Sequence, residues 1–521
     1  MRESLPPLKR SAWRRGKGLL ALGLAALTLA GCDGPTVPAD EGPEAAPAIR
    51  ITTVEANQGV GVRILEEGVP VPAAYRNAPL VERRPTLIRA LWETDPGWRA
   101  RSVSAELRVD LPGGGAQTFE QQRYVGAVAS TFEEPGRGFA WEIPAELAVA
   151  GISYRISLSW PGWDAGTGEG AEPPSFPETP APIGIEESRQ LIRVTVVPVR
   201  HDFEGSCSEV PPMTQNDIET MGELLHRRNP TERVVMTLRE PFDWDESLAT
   251  YSGLLARLSQ LRFEDGADPA EYYAGLVHHC VRVGGQAITI PEFPTRDNAW
   301  TRTVVSAWRG NAPLSSTTFV HEIGHAQGRR HVRCTGSEGG VDPNYPYAAG
   351  NIGVWGYSIV IPEARMPWLS GNLYHPVNAN DYMGYCTGSQ HVSDYGWRRV
   401  HPFIREISRW EAEGGDAGAP SSGRLLVGLL DPDGRESWFE VPGTAGDRIP
   451  EAGTHLRLAD SGGRVVEVPA WAGERPGGGG TTVVAELPMP LAGVREVTFV
   501  RGGTALSVAP RAIRSFGGPE G

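Results

Sequence analysis

Several things are scarce in this chain, and each shortage excludes a class of protein. Basic residues are in deficit: 49 Lys and Arg stand against 63 Asp and Glu, a net charge of −14. No basic tract is available to meet phosphates, so nucleic acid is excluded as a partner. The apolar stretch at residues 19–30 is too short for a comfortable membrane span. No repeat of fixed period stands out, which argues against a solenoid or propeller. Cysteine is sparse, with five residues: Cys32, Cys207, Cys280, Cys334 and Cys386. Glycine (64) and proline (45) are plentiful and favour turns, short strands and linkers. At 521 residues, the length suits three or so domains of about 150 residues each.

The N-terminus reads as a targeting segment. Arg2, Lys9, Arg10, Arg14, Arg15 and Lys17 precede the apolar stretch, which ends in Leu29-Ala30-Gly31-Cys32. That ending resembles the bacterial lipobox and implies cleavage before Cys32, with acylation of that cysteine. The Arg14-Arg15 pair also suggests a twin-arginine export route. Loss of residues 1–31 removes six basic groups and one acidic one, leaving a mature charge of −19. Such a chain touches a membrane through its acyl chains and not its protein surface. The expected location is the cell envelope or surface, as an anchored lipoprotein. Four cysteines then remain in an oxidising compartment, and four allow three pairings.

The most informative string is His321-Glu322-Ile323-Gly324-His325-Ala326-Gln327-Gly328-Arg329-Arg330-His331, or H-E-x-x-H-x-x-G-x-x-H. A helix turns once in about 3.6 residues, so His321 and His325 share a face and can reach one ion. Glu322 points off at another angle, towards the place of an attacking water. Gly328 falls where a helix commonly ends in a left-handed residue, letting the chain swing His331 back to the same ion. Three protein ligands leave an open fourth position, the mark of a catalytic rather than a structural zinc. Ser315, Ser316, Thr317 and Thr318 offer N-caps for the helix. Chance would produce this string in a chain of this composition only on the order of a few times in 10⁵.

The string resembles the zinc signature of the metzincin clan of metallopeptidases. That clan also has a methionine turn beneath the metal, and Asn380-Asp381-Tyr382-Met383-Gly384-Tyr385-Cys386 stands in the right place. The resemblance implies Met383 as a soft apolar floor under the imidazoles and Tyr385 as a group near the zinc or the oxyanion. It also implies that the segments after His331 and after Met383 meet at the metal, and with this a Cys334–Cys386 bridge and a Cys207–Cys280 bridge. The competing reading makes a cysteine a zinc ligand in a latent form. The implied reaction is peptide-bond hydrolysis in a protein or glycoprotein substrate. Zinc would activate a water, with Glu322 as general base.

Along the chain, the expected architecture is multidomain α+β. Residues 1–31 are the signal peptide and 32–46 a flexible tether. Residues 47–160 carry period-2 strands and read as a β-sandwich: Val103, Ala105, Leu107 and Val109 alternate with polar residues, as do Tyr154, Ile156 and Leu158. Residues 161–185 read as a linker. Residues 186–412 read as an α/β metzincin-like catalytic domain, with strands at 191–199, 234–238, 287–290 and 303–308 and helices at 216–226 and 248–261. One of the last two strands is expected to offer its edge to extended substrate. The stretch 339–379 is long and irregular, suited to shaping a cleft. Residues 413–423 form a second linker and 424–521 a small β domain.

The other candidates are weaker. His278, His279, His375 and His391 read as surface or hydrogen-bonded residues. Arg329 and Arg330 read as solvated. Asp342 and Asn344 could bind Ca²⁺, but two oxygen ligands fall short of the usual six to eight. Two rival functions remain open at this point: a catalytically inactive zinc-binding surface adhesin, and a zinc hydrolase of non-peptide amides. An intact Glu322 argues against the first.

Overall fold

A computed structural model describes residues 48–516, except 162, 164–171, 188, 205–208, 281, 283, 337, 413–422, 447 and 477–479. The expected signal peptide, the expected lipidation site Cys32, the expected tether, Cys207 and nearly all of the expected 413–423 linker lie outside the described residues. Among the described residues the fold is β-rich, with several sheets and four α-helices. Among the described residues, no helix is long and apolar enough to cross a membrane.

The N-terminal part contains two antiparallel sheets of five and four strands. Val103, Ala105, Leu107 and Val109 of strand Arg101–Asp110 are buried and their neighbours are not, as the alternation requires. Strand Ser153–Ser159 buries Tyr154, Ile156 and Leu158 in the same way. One expectation fails here. Part of the expected 161–185 linker is strand Ser175–Pro182, paired with Ser153–Ser159. It lies at the edge of its sheet, where Pro177, Pro180 and Pro182 leave fewer ladder bonds unmade.

The central part is built on β1 (Leu191–His201), α1 (Gln215–Arg228), β2 (Arg233–Leu238), α2 (Ser252–Glu264), β3 (Tyr272–His278), β4 (Gly285–Ala287), β5 (Thr303–Trp308), α3 (Ala312–Ala326) and α4 (Asp394–Ala412). Its sheet runs β2-β1-β3-β5-β4. The β2–β1, β1–β3 and β3–β5 pairs are parallel, and β4 is an antiparallel edge strand on β5. Of the parallel strands, β1 and β3 are largely buried and β5 is buried throughout, as expected of strands covered on both faces, whereas β2 at the end of the sheet buries only Met236. Of the two candidates for a substrate edge, 303–308 is therefore interior and the other forms the edge, at 285–287 rather than 287–290. Helix α2 begins four residues later than the apolar pattern suggests, after Tyr251.

One buried apolar cluster joins the N-terminal sheets to the side of the central sheet covered by α1, α3 and α4. Polar ties cross the same boundary: Trp397 Nε1 donates to the Pro79 carbonyl at 3.0 Å, and the buried Arg84 donates to the carbonyls of Thr231 and Arg227. The C-terminal part is an eight-stranded sheet. Its strand Arg424–Leu430 buries both faces. Leu425, Val427 and Leu429 join a cluster with Leu254, Leu255 and Leu258 of α2, while Leu426 faces a separate core with Trp438, Leu456 and Phe499.

Candidate metal centre

Helix α3 carries the first two histidines. Its N-cap is Asn311, whose side chain accepts from the Leu314 amide at 3.0 Å, and Pro313 sits in the first turn. The expected caps at 315–318 are instead inside the helix. Ser315 and Ser316 turn their hydroxyls back to the carbonyls of Asn311 and Ala312, which satisfies them without ending the helix. The helix stops at Gly328, with φ of +83°. The Gly328 amide donates to His325 O and the Arg329 amide to Gly324 O, both at 2.9 Å, which is a Schellman closure. The chain then turns and returns His331 to the face shared by His321 and His325.

The three imidazoles meet. His331 Nε2 lies 3.1 Å from His325 Nε2 and 3.2 Å from His321 Nε2. Each ring's other nitrogen faces a backbone carbonyl: His321 Nδ1 that of Tyr382 (2.9 Å), His325 Nδ1 that of Arg329 (2.7 Å) and His331 Nδ1 that of Gly339 (2.5 Å). A carbonyl only accepts, so each Nδ1 carries the proton and each Nε2 presents a lone pair. Three lone pairs converging in a buried space repel one another unless a cation lies between them. A tetrahedral zinc with Zn–N of about 2.0–2.1 Å sets its ligand nitrogens about 3.3 Å apart, so this donor set fits such an ion. Burial also holds the rings neutral: it lowers His321 to about 3, His325 well below its usual range, and His331 less. Among the described residues this is the one cluster of three or more His, Cys, Asp or Glu side chains able to share an ion.

The other expected residues gather around this point. Glu322 is buried against β4: a Cβ on Gly285 would lie 2.8 Å from Glu322 Oε1. Burial raises its carboxyl to about 8, against a hydrogen bond from the Ala287 backbone. Tyr385 brings its hydroxyl 3.0 Å from His331 Nε2, and its ring is half exposed. Met383 is fully buried, and its sulfur packs so close to Gly324 that a Cβ there would meet it at 2.5 Å. Cys334 and Cys386 are bridged, with Cα atoms 5.2 Å apart. Cys280 is also in a disulfide; Cys207, its expected partner, lies outside the described residues.

Several secondary readings are settled by position. Arg329 is not solvated: it is buried and ion-paired to Asp381 at 3.0 Å, whereas Arg330 is exposed. The two arginines look alike in sequence, and the distant Asp381 is the partner that marks Arg329 as the one turned inward. Asp342 spends its carboxylate on the Asn344 amide and the Tyr395 hydroxyl, which leaves little for a calcium ion. His375 meets Glu133, and the buried His391 meets the Gly59 carbonyl. Sequence reasoning missed Glu338. Its buried carboxylate accepts from the amides of Cys334, Thr335 and Gly336. Burial opposes its ionisation, but those amides outweigh it and hold the carboxyl at about 2. The Thr335-Gly336 turn shortly after His331 was the available signal.

Compared with protein-family models, the chain matches none, and no curated protein matches it either. Similar solved structures include a candidate β-galactosidase from Bacteroides fragilis, 7% identical over 44% of this chain and 39% of that one, with a TM-score of 0.14. A calcium-binding mutant of Bacteroides uniformis β-glucuronidase 2 is 12% identical over 43% of this chain and 24% of that one, also at 0.14. The chain thus spans well under half the length of either, and likeness this slight carries no argument about fold or activity.

Proposed function

We propose that the chain is a zinc-dependent endopeptidase of metzincin type, with residues 186–412 as its catalytic domain, and that it works on extracellular proteins as an exported lipoprotein. The observation that carries this reading is the convergence of three carbonyl-anchored imidazoles beside a buried carboxylate. A zinc ion bound there supplies Lewis acidity, lowering the pKa of water to about 7 and polarising a carbonyl. His321, His325 and His331 would hold it through Nε2.

The remaining steps belong to side chains of the protein. Glu322 takes a proton from the attacking water and delivers it to the leaving amine. Its raised carboxyl suits a base that must also act as an acid near neutral pH, and a cation nearby would draw it back towards ionisation. Tyr385 is placed to donate its hydroxyl proton in a hydrogen bond to the oxyanion that develops on the scissile carbonyl. Its phenol stays protonated, since burial raises it to about 12. The edge strand β4 borders Glu322 and suits an extended peptide added by main-chain pairing.

The test is digestion of an unstructured protein with and without a chelator. Glu322→Gln should keep its zinc and lose about 10²–10⁴-fold or more in turnover. Zinc-loaded wild type without proteolysis would leave the adhesin reading in its place.

A further inference from the structure

Two of the three imidazoles are aimed by carbonyls that belong to one buried ion pair's own neighbourhood. His325 Nδ1 donates to the carbonyl of Arg329 itself. His321 Nδ1 donates to the carbonyl of Tyr382, the residue next to Asp381. The side chains of Arg329 and Asp381 meet at 3.0 Å, 3% and 0% exposed. The pair therefore ties together, across 52 residues of chain, the two backbone segments that orient two different ligands.

The rest of its surroundings fit that task. Asp381 Oδ1 also accepts from the Met383 amide at 3.0 Å, fixing the methionine turn. Oδ2 accepts from the amide and hydroxyl of Ser393, just before α4. Both carboxylate oxygens are thus occupied, and neither Arg329 nor Asp381 is among the ligands. The guanidinium carbon lies 5.4 Å from the Tyr382 ring centre, over its face. Gly396 leaves room for it: a Cβ there would lie 2.4 Å from Arg329 Nη1. A buried pair is weak support for stability, because two charges must be taken out of water. Its placement beside a site made of pre-aimed rings points to positioning instead.

We propose that Arg329 and Asp381 are positioning residues for the metal, setting its affinity by holding the carbonyls that orient His325 and His321. This rests on the zinc reading above. The partners of ligand histidines commonly govern affinity by about 10–100-fold, and this pair would act on two of them at once.

The experiment measures zinc affinity of the full chain by competition with a chromogenic chelator, together with the visible spectrum of the cobalt-substituted protein. Wild type, Asp381→Asn, Arg329→Lys and the milder Ser393→Ala are compared, each as the folded fraction shown by circular dichroism without metal. Expected are about 10–100-fold weaker binding for the first two variants, a few-fold for Ser393→Ala, and altered cobalt bands in the same order. A merely structural pair would lower the melting temperature and leave both readouts unmoved, and that result overturns the proposal. Should Asp381→Asn fail to fold, Ser393→Ala alone decides it by the same criterion. Absence of metal from the wild type is a separate outcome: it removes the zinc reading and the positioning role with it.

Discussion

The candidate metal centre and the C-terminal sheet both bury their side chains, but they do so with different chemistry. Around the three histidines, beside the apolar Met383, stands a group of buried polar side chains: the histidines themselves, Glu322, Arg329, Glu338 and Asp381, each held by a named partner. In the C-terminal sheet the buried groups are chiefly aliphatic and aromatic, divided between a face on α2 and a face on the sheet's own core. Its buried pair, Arg475 with Asp431 and Ser252, sits where the sheet meets α2. Packing needs only apolar residues of suitable volume, whereas a site needs particular atoms at particular places. The first region therefore reveals a chemistry, and the second reveals a contact.

That contrast can be broken by substitution. The largest effect is expected from His325→Ala, which should abolish measurable zinc binding in a chelator competition assay while the folded C-terminal sheet persists. Next, Tyr385→Phe should lower kcat about 10²-fold with zinc content unchanged, the usual cost of one oxyanion donor. An equal loss of metal would instead make Tyr385 a ligand partner. In the other region, Leu426→Ala should cost about 2–5 kcal/mol in denaturant unfolding, from the cavity left in a fully buried position. Zinc affinity of the folded protein should not move; if it does, the two regions are coupled more tightly than their separate cores imply.

The smallest effect sharpens the polar side of the comparison. Glu338 is held at about 2 in the folded protein, against an ordinary 4.5. Its folded pKa is depressed, so its contribution is present above about 4.5 and is lost as pH falls towards 2. In the metal-free protein, Glu338→Gln should flatten that part of the acid-stability profile. An unchanged profile would mean that the 334–336 turn does not depend on this carboxylate.

The parts legible in the sequence are those encoded over short spans. The spacing of His321, Glu322, His325, Gly328 and His331 carries both the helix face and the left-handed exit, and period-2 alternation marks strands such as Arg101–Asp110. The illegible parts depend on distant partners. Nothing local distinguishes the buried Arg329 from the exposed Arg330, because the difference is made by Asp381, 52 residues away. The Ser-Ser-Thr-Thr run looks like a set of helix caps until the back-bonds of Ser315 and Ser316 are seen. Strand Ser175–Pro182 looks like a linker because proline at a sheet edge and proline in a loop read alike.

X-ray absorption at the zinc edge, on purified protein with its metal content measured, tests the central claim most directly. The account predicts one zinc per chain, bound by three imidazole nitrogens at about 2.0 Å with one further light atom. No stoichiometric metal, or a zinc shell dominated by sulfur, would contradict it.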